Sequence, residues 1–224
     1  MKRAVALLIA LNLILSLGFA ALAEEIEVTS FSDVTESDWF YSAVMEMTNG
    51  ELKLFKGKTE PVGGVGTFEP QTEMSRIEFL VVITRYLCRD ELDAAISEPG
   101  DTWYTPYYNV ALASGIITEA SWPYEFLFLS APIPRLEMAA ILVRAASLFG
   151  EELPPYIASK GEIPDLEGLA PDNELSVRQA FTMGLLNGYD DGTFRPEVCL
   201  TRAEAAMALY NLIKPEARRS VLDR

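Results

Sequence analysis

Three arginines recur at one spacing, in Ser75-Arg76-Ile77-Glu78, Pro134-Arg135-Leu136-Glu137 and Thr201-Arg202-Ala203-Glu204. Each is second in a tetrapeptide that opens a helix and ends in glutamate. An arginine in a first helical turn lies beside unpaired backbone amides and the positive end of the helix dipole, so an arriving carboxylate gains a bidentate partner and backbone donors together. Such chemistry is anion capture repeated three times, not one catalytic centre. Histidine is absent from the 224 residues, which removes Ser-His-Asp and Cys-His nucleophile systems and histidine-ligated zinc. The ordinary alternative is that each arginine pairs at the surface with a neighbouring glutamate, worth under about 1 kcal/mol.

The elements that must position these arginines repeat as well. After each motif the apolar residues fall at helical spacing: Ile77, Leu80, Val81 and Leu87; Leu136, Ala139, Ala140 and Val143; Ala203, Ala206, Met207, Tyr210 and Ile213. Ser75 with Glu78 and Thr201 with Glu204 form capping boxes, whereas Pro134 loses half of that exchange. A shorter helix precedes each long one, marked by Trp39, Phe40, Val44 and Met47, by Tyr107, Val110 and Ala111, and by Leu175, Val177, Phe181 and Met183. Between the helices lies a turn-rich loop. In the third copy it runs Gly188-Tyr189-Asp190-Asp191-Gly192-Thr193-Phe194-Arg195-Pro196, with a tight turn at Asp-Gly and a stop at Pro196. The first copy keeps Gly66-Thr67-Phe68-Glu69-Pro70; the second replaces the loop with an apolar, strand-like run from Tyr124 to Leu129. Asp190-Asp191-Gly192 lacks the downstream acidic ligand of a calcium loop and reads as a turn, so neither metal nor cofactor is expected.

The first 23 residues stand apart. Lys2 and Arg3 precede an apolar run that ends in Ala21-Leu22-Ala23 before Glu24 and Glu25, the pattern of a secretory signal peptide. The run is about as long as a short bilayer span, but its small-residue ending favours cleavage. Removing it takes away two basic residues and no acidic one, so the net charge moves from −15 to −17, 16 basic against 33 acidic. That field repels nucleic acid and anionic lipid, and any anionic ligand must be held by local geometry. Half of the residues are hydrophobic and 20 are Phe or Tyr, which indicates a packed core. Cys88 and Cys199 lie in different copies, and a disulfide or two separate buried thiols fit equally.

Phe31-Ser32-Asp33-Val34 with Asp38-Trp39, then Gly-Tyr-x-Asp-Gly-Thr-Phe-x-Pro, then Thr-Arg-Ala-Glu, resembles the S-layer homology domain, found in triplicate on bacterial surface proteins. The likeness is close from Gly184 to Ala206 and recognisable at both ends of the first copy. In the second it rests on Asp101, Trp103, Gly115-Ile116-Ile117 and the arginine motif. It implies a mainly α fold, three helix-loop-helix repeats in pseudo-threefold order around a central helical bundle; the turn-rich loops themselves have room for short β-hairpins. The expected layout is a signal peptide at 1–23, repeats at 24–92, 93–153 and 154–214, and a charged tail at 215–224. The resemblance further implies noncovalent binding of an anionic cell-wall polysaccharide, often pyruvylated, in grooves between copies. Contacts would come from Arg76, Arg135, Arg202, Trp39, Trp103, Asp38, Asp101, Gly188 and Tyr189. The two tryptophans could cover a sugar face or fill the junctions between copies.

The expectation is therefore a secreted surface-layer or cell-wall binder that is not an enzyme. Its partners are wall polysaccharide and other surface-layer proteins, with no nucleic acid and no membrane span once the signal is removed. Past the third copy only the short tail from Lys214 remains, with no visible cargo. Drift in the second copy, the missing third tryptophan and the acidity favour an alternative, a protein-interaction scaffold that keeps the fold without sugar binding. A two-carboxylate glycosidase has no singled-out acid pair to support it.

Overall fold

A computed structural model describes residues 30–59, 62–155 and 163–218. The proposed signal peptide lies outside them. The described chain is mainly helical: β1 (Ser30–Phe31), α1 (Tyr41–Asn49), β2 (Val65–Gly66), α2 (Arg76–Leu87), α3 (Arg89–Ala94), α4 (Thr105–Ala113), α5 (Phe126–Ser130), α6 (Arg135–Leu148), α7 (Pro171–Thr182) and α8 (Arg202–Ile213), with short 3-10 turns at Pro164–Leu166 and Pro215–Ala217. The six expected helices all form, and α2, α6 and α8 each begin at a motif arginine.

Local chemistry explains those starts. The Ser75 hydroxyl accepts from Glu78 N–H while Ser75 N–H donates to the Glu78 carboxylate, and Thr201 with Glu204 repeats the exchange. Pro134 provides no side-chain cap for α6. The long helices are more than amphipathic. In α2, Ile77, Phe79, Leu80, Val81, Val82 and Ile83 are all buried, so it is covered on nearly every side, and in α8 Met207, Tyr210 and Ile213 are only half-buried while Leu209 and Leu212 are sealed. Helices wrapped in this way lose their one-sided pattern.

Each short helix docks on a long helix other than the one that follows it. α4 packs on α2, α7 on α6, and α1 returns to α8. Where the three long helices begin, the backbone closes on itself: Met74 N–H donates to Leu200 C=O at 2.9 Å, Leu200 N–H to Ile133 C=O at 3.1 Å, and Ile133 N–H to Met74 C=O at 2.9 Å. All three side chains are buried. The helix-start amides beside this ring are consumed as well. Arg76, Arg135 and Arg202 donate their own N–H groups to Ala131, Val198 and Thr72, and Leu136 and Ala203 donate to Pro196 and Pro70. The expectation of unpaired amides beside each arginine is thus corrected, because neighbouring segments reach them first.

Sheet structure is minimal among the described residues. β1 pairs with β2 in parallel, and in place of the expected loop hairpins the first loop has one antiparallel bridge, Val62 to Val65. The apolar run read as strand-like in the second copy folds as α5. Both cysteines are free thiols, Cys88 buried and Cys199 half-buried.

Candidate functional site

Each motif arginine reaches a segment of the chain more than fifty residues away. Arg76, Arg135 and Arg202 are 9%, 3% and 4% exposed, and each lies over a phenylalanine whose carbonyl it also binds. Arg202 Nε donates to Phe68 C=O at 2.9 Å, and its guanidinium sits 4.6 Å from that ring. Arg135 Nε donates to Phe194 C=O at 2.7 Å, with the ring at 4.7 Å. Arg76 Nη1 approaches Phe128 C=O at 3.4 Å over a ring at 4.2 Å. Phe128 on α5 thereby takes the part that Phe68 and Phe194 take in the loops, despite its different local structure. Buried cations survive only when such donors and rings replace water.

The loops that present Phe68 and Phe194 are held by aspartates. The Asp33 carboxylate accepts from Phe68 and Glu69 N–H at 2.8 and 2.7 Å, and Asp165 accepts from Phe194 and Arg195 N–H at 2.8 and 2.6 Å. Glu69 and Arg195 adopt left-handed backbone, φ 58° and 56°, which costs a non-glycine residue about 1 kcal/mol or more. The charge-assisted bonds offset that cost. Sequence reading did not assign these two aspartates. The available signal was their common place, some thirty residues before a Phe-x-Pro.

Carboxylates separate the three arginines. Glu137 takes Arg76 bidentately, at 2.7 Å to Nε and 2.5 Å to Nη2, and Pro132 C=O takes Nη1 at 3.2 Å. Glu204 stands 3.6 Å from Arg135 Nη1, and Asn187 C=O accepts from Nη2 at 2.6 Å. Arg202 Nη2 donates to Lys56 C=O at 3.0 Å. No carboxylate among the described residues comes within ion-pair distance of Arg202, and its Nη1 has no hydrogen-bond partner there.

The cause lies at the caps. Glu78 and Glu204 each commit one oxygen to the N–H of Ser75 or Thr201. Pro134 has no N–H to offer, so both Glu137 oxygens turn to Arg76. The other oxygen of Glu78 accepts from Lys58 at 2.6 Å. Burial works to raise the pKa of Glu78, but Lys58 and Ser75 outweigh it and hold the carboxyl below its ordinary value. Burial also lowers the pKa of Arg135 and of Arg202, with nearby Tyr189 and Glu204 opposing it at Arg135 and Glu78 opposing it at Arg202.

Tyr189 joins the Arg135 cluster, its ring 4.8 Å from that guanidinium and 4.0 Å from Arg195. Gly188 is needed beside it, because a Cβ there would lie 3.0 Å from Thr193 C=O and 3.2 Å from the Phe181 ring. Gly192, at φ 83°, makes the expected Asp-Gly turn. Asp191 spends its carboxylate on Thr193 and Arg195 within that turn. Trp39 and Trp103 are 62% and 65% exposed, each edge-on to the buried aromatic that follows it, Phe40 or Tyr104. They do not fill junctions, and neither packs on a motif arginine. Asp38 accepts from Thr35 N–H and Asp101 from Glu98 N–H, fixing the turns that lead to the tryptophans. Arg135, Gly188 and Tyr189 are therefore brought together, while Asp38 with Trp39 and Asp101 with Trp103 form separate exposed corners.

The family model for the S-layer homology domain matches residues 30–80 and 163–206. Those stretches contain the Arg76 and Arg202 motifs, both with complete capping boxes; the Arg135 motif falls between them. An endoglucanase of Bacillus sp. (strain KSM-635) is similar, 27% identical over 225 residues, covering 95% of this chain and 22% of the endoglucanase. An amylopullulanase of Thermoanaerobacterium thermosulfurigenes is 29% identical over 154 residues, 66% of this chain and 8% of that protein. The chain spans under a quarter of the length of either relative. Among the described residues no helix is long and apolar enough to cross a membrane. At 30–80 and 163–206 the chain is thus similar to the S-layer homology domain.

Proposed function

We propose that the chain is a secreted wall-binding module without chemistry of its own, built of three S-layer homology copies in pseudo-threefold order around a central helical bundle. It holds an anionic, cell-wall-linked polysaccharide in clefts between copies, with a pyruvate carboxylate as the group an arginine would take. Arg202 carries this reading. Its guanidinium is oriented by two carbonyls and a ring, and among the described residues it has no carboxylate within ion-pair distance and no hydrogen-bond partner at Nη1, which suits a preorganised receptor for a ligand carboxylate. The relatives' names denote enzymes, but this chain corresponds to under a quarter of either; anchoring, not hydrolysis, is the role proposed for the shared stretch.

Retention on purified cell walls, with and without removal of the wall polysaccharide, tests the proposal. Arg202→Lys keeps a cation and loses the fork, and is expected to weaken retention at least tenfold with the helical fold intact by circular dichroism. Equal retention on stripped walls overturns polysaccharide recognition. That outcome would favour the scaffold reading, for which the specific observation is in the second copy: α5 exposes Phe126 and Leu127 beside an Arg76 already neutralised by Glu137. Other surface-layer proteins would then be the partners.

A further inference from the structure

Asparagine is followed by glycine twice in the chain, at Asn49-Gly50 and at Asn187-Gly188. Such a pair has chemistry of its own. With no side chain on the glycine, its backbone nitrogen can close on the asparagine side-chain carbon and form a cyclic imide, an intramolecular attack that needs no bound reagent. The folded chain treats the two pairs oppositely. Gly50 N–H ends α1 by donating to Glu46 C=O at 2.9 Å, so that nitrogen is committed to the helix. Among the described residues Gly188 N–H has no hydrogen-bond partner, nor has the Asn187 side chain, and both residues are only half-buried.

What singles out Asn187 is the group on its own carbonyl. Arg135, 3% exposed, donates from Nη2 to Asn187 C=O at 2.6 Å. That carbonyl and Gly188 N–H belong to one peptide group. When the nitrogen gives up its proton the charge is shared with this oxygen, so a guanidinium fixed there stabilises the nucleophile as an oxyanion hole would. The first loop has the same arrangement without the reactive side chain: Arg202 Nη2 donates to Lys56 C=O at 3.0 Å, just ahead of Gly57. At both glycines a Cβ would crowd a loop carbonyl, Thr67 at 3.1 Å or Thr193 at 3.0 Å. Packing thus demands the glycine in each loop, and Asn187 alone makes one of the two reactive.

We propose that Asn187-Gly188 is a site of self-catalysed deamidation, a covalent modification with water as co-reactant. Gly188 N loses its proton to solvent hydroxide and bonds to Asn187 Cγ; the Cγ–Nδ2 bond then breaks, and the nitrogen takes a proton from water and leaves as ammonia. A water molecule adds to one imide carbonyl, and the bond from that carbon to Gly188 N breaks. Arg135 polarises the α-carbonyl, so the imide opens there and yields isoaspartate. The chain then runs on through Cγ, and a free α-carboxylate lies where Arg135 held an amide. A buried guanidinium thereby gains a charged partner, as Arg76 already has in Glu137. The reaction goes forward whether or not the chain binds wall polymer.

Incubation of the full chain at mildly alkaline pH, folded and in guanidinium chloride, tests this. Peptide mapping by mass spectrometry and labelling with an isoaspartate-specific methyltransferase follow the two sites. In denaturant Asn49 and Asn187 are expected to convert at similar rates. In the folded chain Asn187 is expected to convert at least about tenfold faster than Asn49 and no slower than in denaturant, with a larger isoaspartate share. Arg135→Lys keeps a cation and loses the fork, and is expected to lower both the rate and that share at Asn187. Asn187→Gln is expected to abolish modification of this loop with an unchanged melting temperature. Slower conversion of Asn187 in the folded chain than in denaturant, or an isoaspartate share unchanged by folding, overturns the proposal; neither comparison depends on a variant that folds.

Discussion

At Arg76 the guanidinium meets a bidentate carboxylate across the junction; at Arg202 it meets two backbone carbonyls and an uncommitted nitrogen. Both arginines open a long helix behind a complete capping box, and both lie over a phenylalanine distant in sequence, Phe128 or Phe68. What differs is the residue that precedes the facing arginine. Pro134 frees Glu137 from capping duty, whereas Ser75 and Lys58 hold Glu78 away from Arg202. The missing N–H at Pro134 lets both Glu137 oxygens seal Arg76, while at Arg202 Lys58 holds the second Glu78 oxygen; behind the equally complete box at Thr201, Glu204 still comes within 3.6 Å of Arg135. What else the facing glutamate binds, and not the cap alone, governs each arginine.

The largest expected effect comes from breaking the sealed junction. Arg76→Ala leaves Glu137 half-buried without its partner and is expected to cost about 3–5 kcal/mol in urea unfolding; a loss below 1 kcal/mol would mean that the pair contributes little. Next is Asp33→Ala. It releases two amides and the left-handed turn that presents Phe68 to Arg202, for about 2–3 kcal/mol, and it should lower wall retention as Arg202→Lys does. Pro134→Thr is the sharpest test of the contrast. It is expected to restore a capping box worth about 1 kcal/mol, draw one Glu137 oxygen from Arg76, and raise wall retention; unchanged retention would show that opening this junction creates no site.

The smallest effect is electrostatic. Glu78 has its pKa lowered from an ordinary 4.5, so its stabilisation is present above that value and disappears as pH falls through the lowered one. Glu78→Gln should therefore be less stable than the parent at pH 7, by under about 1 kcal/mol for so exposed a pair, and equal to it in strong acid. A gap that persists below pH 3 would assign the effect to the cap geometry and not to charge.

Local pattern made much of the molecule legible. Capping boxes act over three residues, and Ser75, Thr201 and Pro134 each behave in the structure as their identity dictates. The helices followed from periodicity, although α2 and α8 bury more than the one face read for them. The partners of the arginines were illegible, because Phe68 and Lys56 lie more than a hundred residues from Arg202 and only tertiary closure joins them. The run at Tyr124 to Leu129 misled through its aromatic content; α5 forms there with Phe128 under Arg76 and Leu129 buried, and tertiary context outweighs β propensity.

The ring formed by Met74, Ile133 and Leu200 also acts as a counting device. Each member gives one hydrogen bond and takes one, so the set is saturated at three. A stacked solenoid can gain or shed units at its ends with only a change in length. Here the gain or loss of one such helix start would strand an N–H and a carbonyl at a buried axis, each a penalty of about 1–3 kcal/mol, so the number of helix starts is fixed far more tightly than the residues that compose them.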